Sequence, residues 1–137
     1  MSPIFLVVDW FVLGNGKYEF SFFGIQYEYD TAEAFCTGIE GKLIEPRDNA
    51  TMINVSNYAE SLNISSFWLG IHYKNLEDTF VYASDNKPIE WSNWAPGQPG
   101  HNSNKETCVE TLDNRKWSDL SCEGNERSIV CMRGSNH

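Results

Sequence analysis

The sequence predicts a mixed α+β fold in which two helices pack on antiparallel sheets and one long irregular loop interrupts the second half of the chain. Apolar alternation near the N-terminus is typical of strands, two segments have helical apolar spacing, and short apolar runs separated by turn residues follow. A chain of 137 residues is one domain by the usual size prior, so we take residues 1–137 as a single domain.

The N-terminal part of the chain predicts strands followed by a helix. Residues 3–29 are rich in Phe, Tyr, Val and Ile, and the turn residues 14–16 divide them into two strands. Asp30 stands three residues before Glu33, a capping-box spacing that predicts the start of a helix, and Gly41 predicts its end. The residues expected to face inward from this helix are Ala34, Phe35 and Ile39.

A second helix and a buried strand are expected next. Residues 43–44 predict a short strand, and residues 46–48 predict the start of a helix that runs to about Leu62. The apolar face of this helix consists of Met52, Ile53, Val55 and Tyr58. Residues 67–71 form a continuous apolar run, which is typical of a fully buried strand.

A long polar segment separates this strand from the end of the chain. Asp, Asn, Pro, Gly and Ser dominate residues 74–105, where Trp91 and Trp94 are interleaved, and we interpret the whole segment as a loop. Loops of this length inside a compact domain are usually functional. Three short closing strands are expected at 107–112, 116–117 and 128–132.

The charge balance excludes several partners. The chain has 19 acidic and 10 basic residues, whereas nucleic acids and anionic membranes bind clustered Lys and Arg. No segment approaches the length of a membrane span, and residues 1–8 are apolar but too short for a signal peptide. We therefore expect a mature extracellular segment without membrane insertion, whose leader or anchor lies outside this sequence.

Cysteines and glycosylation acceptors indicate an oxidising, extracellular compartment. No CxxC pair occurs, which argues against a zinc ribbon or a thioredoxin-like motif, and an even number of widely spaced cysteines predicts two disulfides. The cysteines are Cys36, Cys108, Cys122 and Cys131. Three N-x-S/T acceptors, at Asn49, Asn54 and Asn63, predict a secreted glycoprotein.

Four short motifs follow one another along the chain: WLGI at 68–71, SNW at 92–94, a proline at 99 and WSD at 117–119. In this order and spacing they resemble the C-type lectin-like domain, and the resemblance covers about residues 17–133. It implies the fold of that family, in which a long loop binds the ligand. The four cysteines fall where the short form of the family has them.

The resemblance also implies structural details. The disulfides would join Cys36 to Cys131 and Cys108 to Cys122, and the peptide bond before Pro99 would be cis. Since large aromatic residues dominate core packing, we expect the tryptophans to serve the core before any ligand. These tryptophans are Trp68, Trp91, Trp94 and Trp117.

By the same resemblance, five positions correspond to the calcium ligands of sugar-binding members, in which the ion binds vicinal hydroxyls of the sugar. They are Gln98, Gly100, Glu106, Ser118 and Asp119. Gln98, Glu106 and Asp119 retain oxygen ligands of the kind that calcium prefers. Gly100 has no side-chain oxygen, and Ser118 offers a hydroxyl in place of an amide. We therefore expect weak calcium binding, and sugar binding without calcium stays open.

Residues around this set are further candidates for ligand contact. His101 and Asn102, on the adjacent loop, and Trp117 are candidate ligand contacts. The tripeptide at 98–100 is QPG, whose first residue resembles the galactose-type form QPD of the family and not the mannose-type form EPN. The sequence therefore slightly favours galactose or N-acetylgalactosamine. The second, structural calcium site of the family is mostly lost, with Glu77 its remaining acid.

Three classes of function compete. The first is a secreted or ectodomain lectin for terminal sugars, a soluble defence or recognition protein that gains avidity as a dimer or higher oligomer. The second is a calcium-independent relative that binds a protein ligand through the long loop. The third, an enzyme, is disfavoured because no hydrolase, metalloprotease or P-loop motif and no free thiol is expected. Glu106 and Asp119 suit a metal or hydrogen-bonding role better than acid–base catalysis.

Overall fold

The computed structural model of the chain describes residues 8–100 and 107–136, and every structural statement below concerns these residues. The start of the first predicted strand and three predicted site residues, His101, Asn102 and Glu106, lie outside them. In chain order the elements are β1 Phe11–Val12, β2 Tyr18–Tyr27, α1 Tyr29–Gly38, β3 Lys42–Leu43, α2 Asn49–Ser61, β4 Trp68–Lys74, a 3-10 turn Asn75–Glu77, β5 Thr79–Tyr82, β6 Thr107–Thr111, β7 Trp117–Ser121 and β8 Arg127–Gly134.

Two antiparallel sheets of four strands organise the described part of the chain, in the orders β1-β2-β8-β3 and β5-β4-β6-β7. The first and last long strands of the domain, β2 and β8, pair directly, with Phe20 opposite Met132. The apolar faces of both sheets and of α2 enclose the main core. The predicted α+β class with two helices on antiparallel sheets is confirmed.

The start of helix α1 differs from the prediction. The helix begins at Tyr29, and the residue before it, Glu28, is the N-cap without a capping side-chain bond, so Asp30 does not cap it. Tyr29 is buried and its ring stands edge-on to Trp68 at 5.7 Å between centroids. Burial of this aromatic ring fixes the helix start, an effect of tertiary packing that the capping-box spacing does not register.

The face of α1 that points into the core therefore differs from the predicted face. Its buried residues are Tyr29, Ala32 and Cys36, whereas the predicted Ala34 is exposed, and Phe35 and Ile39 are only half-buried. The helix ends at Gly38, three residues before the predicted Gly41, and the left-handed residue of its Schellman-type end is Glu40, with φ of 67°. The Gly41 amide closes this end by donating to the carbonyl oxygen of Cys36 at 2.8 Å.

Helix α2 forms close to its predicted bounds, but its predicted apolar face is confirmed only in part: Met52 and Val55 are buried, whereas Ile53 and Tyr58 are half-buried. Asp48 is its N-cap, and the carboxylate accepts a hydrogen bond from the Thr51 amide at 2.7 Å. The buried stripe is Met52, Val55 and Ala59, at the i, i+3 and i+7 spacing of an amphipathic helix.

The prediction of an uninterrupted loop over residues 74–105 is wrong at its start. The chain there makes the 3-10 turn and then β5, which pairs with β4 through Tyr73 opposite Phe80. The four residues Thr79–Tyr82 have high strand propensity. Apolar periodicity is measured over a longer stretch, which here includes polar residues on both sides, so the pattern does not reveal this short strand. Strand β7 also extends further than the predicted 116–117.

Gly70, the glycine of the WLGI motif, joins the two sheets. Its amide donates to the carbonyl oxygen of Ile44 at 2.6 Å. A Cβ atom on this residue would stand 2.7 Å from the carbonyl oxygen of Leu43, closer than real contacts allow. The motif therefore needs glycine because two backbones approach each other here.

Both implied disulfides are present. Cys36–Cys131 links α1 to β8 across 95 residues, and Cys108–Cys122 links β6 to the segment after β7. In the chain-entropy model a loop of the first size corresponds to about 4 to 5 kcal/mol of stabilisation. None of the helices in the described ranges is long and apolar enough to cross a membrane.

The burial of Tyr29 predicts a loss of stability at alkaline pH. Burial, with the nearby Glu33 carboxylate, raises the pKa of the Tyr29 hydroxyl well above its ordinary value of 10.0. Above about pH 10 the unfolded chain releases this proton, whereas the folded chain retains it. The free energy of unfolding should therefore fall by up to about 1.4 kcal/mol per pH unit.

Urea unfolding from pH 8 to 11 measures this slope. We expect Tyr29→Phe to flatten it, whereas Tyr27→Phe, at an exposed tyrosine, leaves Tyr29 in place and keeps the wild-type slope. Equal slopes in the two variants would contradict this role of Tyr29.

Candidate functional site

The segment 92–100 is held against β7 by backbone hydrogen bonds. The Trp117 amide donates to the carbonyl oxygen of Asn93, and the Ala95 amide donates to the carbonyl oxygen of Trp117, both at 2.9 Å. The Asn93 side chain adds a bond from its amide nitrogen to the carbonyl oxygen of Arg115 at 2.7 Å. These contacts occupy an edge of the second sheet and fix where the segment turns next.

Trp117 connects this segment to the core. Its side chain is fully buried, and its ring stands edge-on to Trp91 and Trp94 at 5.4 and 5.6 Å between centroids. The indole nitrogen donates to the sulfur of Met52 at 3.3 Å. The expectation that Trp117 contacts a ligand does not fit this burial: the ring positions the two residues that follow it. The expectation that the tryptophans serve the core is met.

The peptide bond between Gln98 and Pro99 is cis, as the resemblance implied. Beyond this bend the Gly100 amide donates to Asp119 Oδ1 at 2.8 Å and to Gln98 Oε1 at 3.1 Å. The Asp119 amide approaches the same Gln98 oxygen at 3.4 Å. A loop residue, a strand residue and a backbone N–H therefore converge on one point, which we call the Gln98–Gly100–Asp119 cluster.

One carboxylate oxygen in this cluster has no hydrogen bond. Asp119 Oδ2 is buried and finds no partner among the residues that the structure describes. Leaving a buried charged oxygen without a donor or cation costs several kcal/mol as an order of magnitude. A cation or a hydrogen-bond donor placed beside Oδ2 would offset this cost.

Ser118, the remaining predicted ligand residue in the described ranges, lies beside the cluster. Its hydroxyl donates to the carbonyl oxygen of Asp119 at 3.4 Å, a long bond. The predicted set is thus assembled in part: Gln98, Gly100 and Asp119 meet directly and Ser118 adjoins them. The positions of His101, Asn102 and Glu106 stay predictions.

The oxygen atoms of the cluster fit calcium in type but fall short in number. Asp119 offers its carboxylate and carbonyl oxygens, Gln98 an amide oxygen and Ser118 a hydroxyl, with one formal charge among them. Calcium takes about six to eight oxygen ligands. Over residues 8–100 and 107–136 no group of three or more His, Cys, Asp or Glu side chains could hold a metal ion. A calcium ion bound here would need the predicted Glu106, water or ligand hydroxyls.

Gly100 is not required by the backbone. A Cβ atom on it would lie 3.8 Å from the Gln98 amide atoms, an ordinary van der Waals distance, and none of the residues that the structure describes brings an atom closer. These atoms would therefore leave room for a side chain at position 100. Backbone crowding does not explain why this position lacks a side-chain oxygen.

Two contributions to the site were missed from the sequence. Asn93 secures the loop through its side chain, and Gly100 acts through its amide hydrogen. Asn93 stands inside the quoted SNW motif, so the motif itself was the available signal. A backbone donor has no sequence signal, because every residue except proline carries one.

Comparisons with known proteins agree with this architecture. The family model described as the Lectin C-type domain matches residues 25–133. Pulmonary surfactant-associated protein D of Bos taurus is 33% identical over 108 residues, which cover 79% of this chain and 28% of that protein. The low affinity immunoglobulin epsilon Fc receptor of Mus musculus is 28% identical over 96 residues, which cover 70% of this chain and 28% of the receptor.

A solved relative has the same fold. The crystal structure of the cow C-type carbohydrate-recognition domain of CD23, determined in the presence of a GlcNAc2Man3 oligosaccharide, superposes with a TM-score of 0.73 at 26% identity. The match covers 86% of this chain and 88% of that one.

The match covers only part of each curated relative. The chain spans only about a third of the length of the curated relatives it matches, between 28% and 36%. Lectin C-type domains are non-enzymatic, which confirms the prediction that the chain is not an enzyme. The family match extends over most of the sequence and agrees with the two disulfides and the fold: this chain belongs to the C-type lectin domain family.

Proposed function

We propose that the chain is an extracellular carbohydrate-binding lectin that receives a terminal sugar at the Gln98–Gly100–Asp119 cluster. The observation that carries the proposal is that Oδ2 of Asp119 has no hydrogen-bond partner within residues 8–100 and 107–136, at the point where loop and strand converge. The two disulfides support an oxidising, extracellular compartment. The carbohydrate-recognition domain of cow CD23, solved in the presence of an oligosaccharide, supports the class of ligand.

The cluster suits hydroxyl donors. A pyranose presents neighbouring hydroxyls that donate to a carboxylate, and hydrogen bonds to an ionised acceptor are the stronger ones. Asp119 holds one oxygen on the Gly100 amide and leaves the other for the ligand. Gln98 is already oriented by two backbone N–H groups, so little side-chain entropy is lost when the ligand binds.

Calcium assists in this proposal but is held weakly. When bound, the ion would add coordination bonds to two vicinal hydroxyls of the sugar. Gln98, Ser118 and Asp119, with the predicted Glu106, are the residues that would hold it. Since the described donors carry a single charge, we infer an affinity in the range of weak extracellular modules, about 0.1 to 1 mM.

Sugar preference and assembly are finer parts of the proposal. The glutamine at position 98 favours galactose or N-acetylgalactosamine over mannose, following its resemblance to the QPD form. A single shallow site binds sugars weakly, so we propose that the protein gains avidity through a dimer or higher oligomer.

One observation favours a second candidate, a calcium-independent domain that binds a protein. The Gly100 amide already occupies an oxygen of Asp119 that a metal would otherwise use. The Fc receptor among the relatives is named for a protein ligand, an immunoglobulin. Sugar-binding measurements with and without calcium separate the two candidates.

Removing the charge of Asp119 tests the sugar site. Asp119→Asn keeps the shape but loses the ionised acceptor, so affinity for galactose or N-acetylgalactosamine should fall about tenfold or more. Calorimetric titration of galactose, N-acetylgalactosamine and mannose, with calcium and with chelator, measures this. Glu106→Gln should act in the same direction.

Asp30→Asn, at an exposed acid on α1, is the matched control and should leave sugar binding unchanged. Unaltered binding in Asp119→Asn would show that the sugar site is elsewhere. Absence of any sugar binding by the wild-type chain would favour the protein-binding candidate.

Restoring the missing oxygen tests the calcium assignment. Gly100→Asp adds a carboxylate where the structure leaves room, so calcium affinity should rise about tenfold. The shift of the unfolding temperature with calcium concentration reports this change. Gly100→Ala adds the same Cβ atom without oxygens and controls for the backbone effect. A calcium response no larger in Gly100→Asp than in Gly100→Ala would contradict the assignment.

A further inference from the structure

The three glycosylation acceptors occupy different environments. Asn49 and Asn54 belong to helix α2, whereas Asn63 follows the helix in a left-handed turn, with φ of 63°. Both Asn63 and the hydroxyl residue of its acceptor motif, Ser65, are exposed. Asparagine is one of the few residues that adopt this backbone conformation readily.

Asn54 is enclosed. It is only partly accessible, and its side-chain nitrogen lies so near Gly14 that a Cβ atom on that glycine would stand 2.9 Å away. A sugar bonded to this nitrogen would have to displace the turn between β1 and β2. Its acceptor motif is therefore a poor glycan carrier in the folded protein.

Asn63 lies instead on the rim of a groove with a volume of about 380 Å³, between α2 and the β6–β7 turn. Most residues that line the groove are polar, and three are apolar: Ile64 and Phe67, which are buried, and Leu112, which is half-buried and presents apolar surface. Two exposed acids, Glu60 and Asp113, complete the rim. The volume is within the range of small-molecule pockets, about 300 to 1,000 Å³.

This lining matches a neutral amino sugar. The C–H face of a pyranose can lie on the Leu112 side chain, while its hydroxyls and acetamide N–H donate to the carboxylates on the rim. The same carboxylates repel anionic ligands. The groove and the acceptor asparagine therefore suit one another in chemistry and in position.

We propose that Asn63 carries an N-linked glycan whose first N-acetylglucosamine lies in this groove, and that Asn54 stays unmodified. In the transfer step the Asn63 amide nitrogen forms a bond to the anomeric carbon of a polyprenyl-diphosphate-linked oligosaccharide. The bond from that carbon to the phosphate oxygen breaks, the amide loses one proton, and the polyprenyl diphosphate leaves. The proposal rests on the extracellular location within the proposed function, and not on the sugar-binding activity.

The test uses the full chain secreted from insect cells behind a host signal sequence, followed by glycopeptide mass spectrometry. We expect a glycan on Asn63 that is lost in Ser65→Ala, and none on Asn54. An unmodified Asn63, or a glycan on Asn54, would overturn the proposal. Sugar binding by unglycosylated protein from bacteria is measured separately, so that failure of one proposal does not count against the other.

The seating of the first sugar has its own readout. Release of the glycan by a peptide-N-glycosidase should be about fivefold slower from the folded wild type than from folded Leu112→Ser, which removes an apolar wall of the groove. Leu76→Ser, at a leucine 98% exposed and remote in sequence from the groove, should release at the wild-type rate. Equal release rates in all three proteins would overturn the seating.

Discussion

The docking of the 92–100 segment on strand β7 is the contact on which the candidate site depends. Two backbone hydrogen bonds between Trp117 and the loop satisfy an edge of the sheet, and the buried indole of Trp117 fixes the strand against the core. The bend at Pro99 then brings Gly100 onto Asp119. Because the strand is anchored in the core, the cluster is organised by the scaffold before any ligand arrives.

The hydrogen bonds of the cluster are consistent with the proposal that it binds a sugar even where calcium is held weakly. The Gly100 amide donates to Asp119 Oδ1 and to Gln98 Oε1, and these two hydrogen bonds hold the cluster together without an ion. Within the described part of the chain, the second oxygen of Asp119 has no hydrogen-bond partner. A polyol, alone or with calcium, supplies such a partner by hydrogen bonds or by coordination.

Local signals predicted much of the fold, and tertiary effects account for the errors. The start of α2 was predicted correctly at residues 46–48, where Asp48 is the N-cap, because capping depends on neighbours in sequence. Asp30 did not cap α1, since burial of Tyr29 against Trp68 decided where that helix begins. The candidate site was predictable only through ordered motifs, because Gln98 and Asp119 are distant in sequence and meet through a loop conformation that no local pattern encodes. The hydrogen bond of the Gly100 amide could not be predicted at all.

The most direct test of the central claim is an amide chemical-shift titration of ¹⁵N-labelled protein with galactose, repeated with chelator. If the preformed cluster is the sugar site, the amide resonances of Gly100 and Asp119 shift together and saturably, because each of these amides donates to an oxygen of the cluster. Shifts confined to other surfaces, with Gly100 and Asp119 unmoved at saturation, would contradict the account.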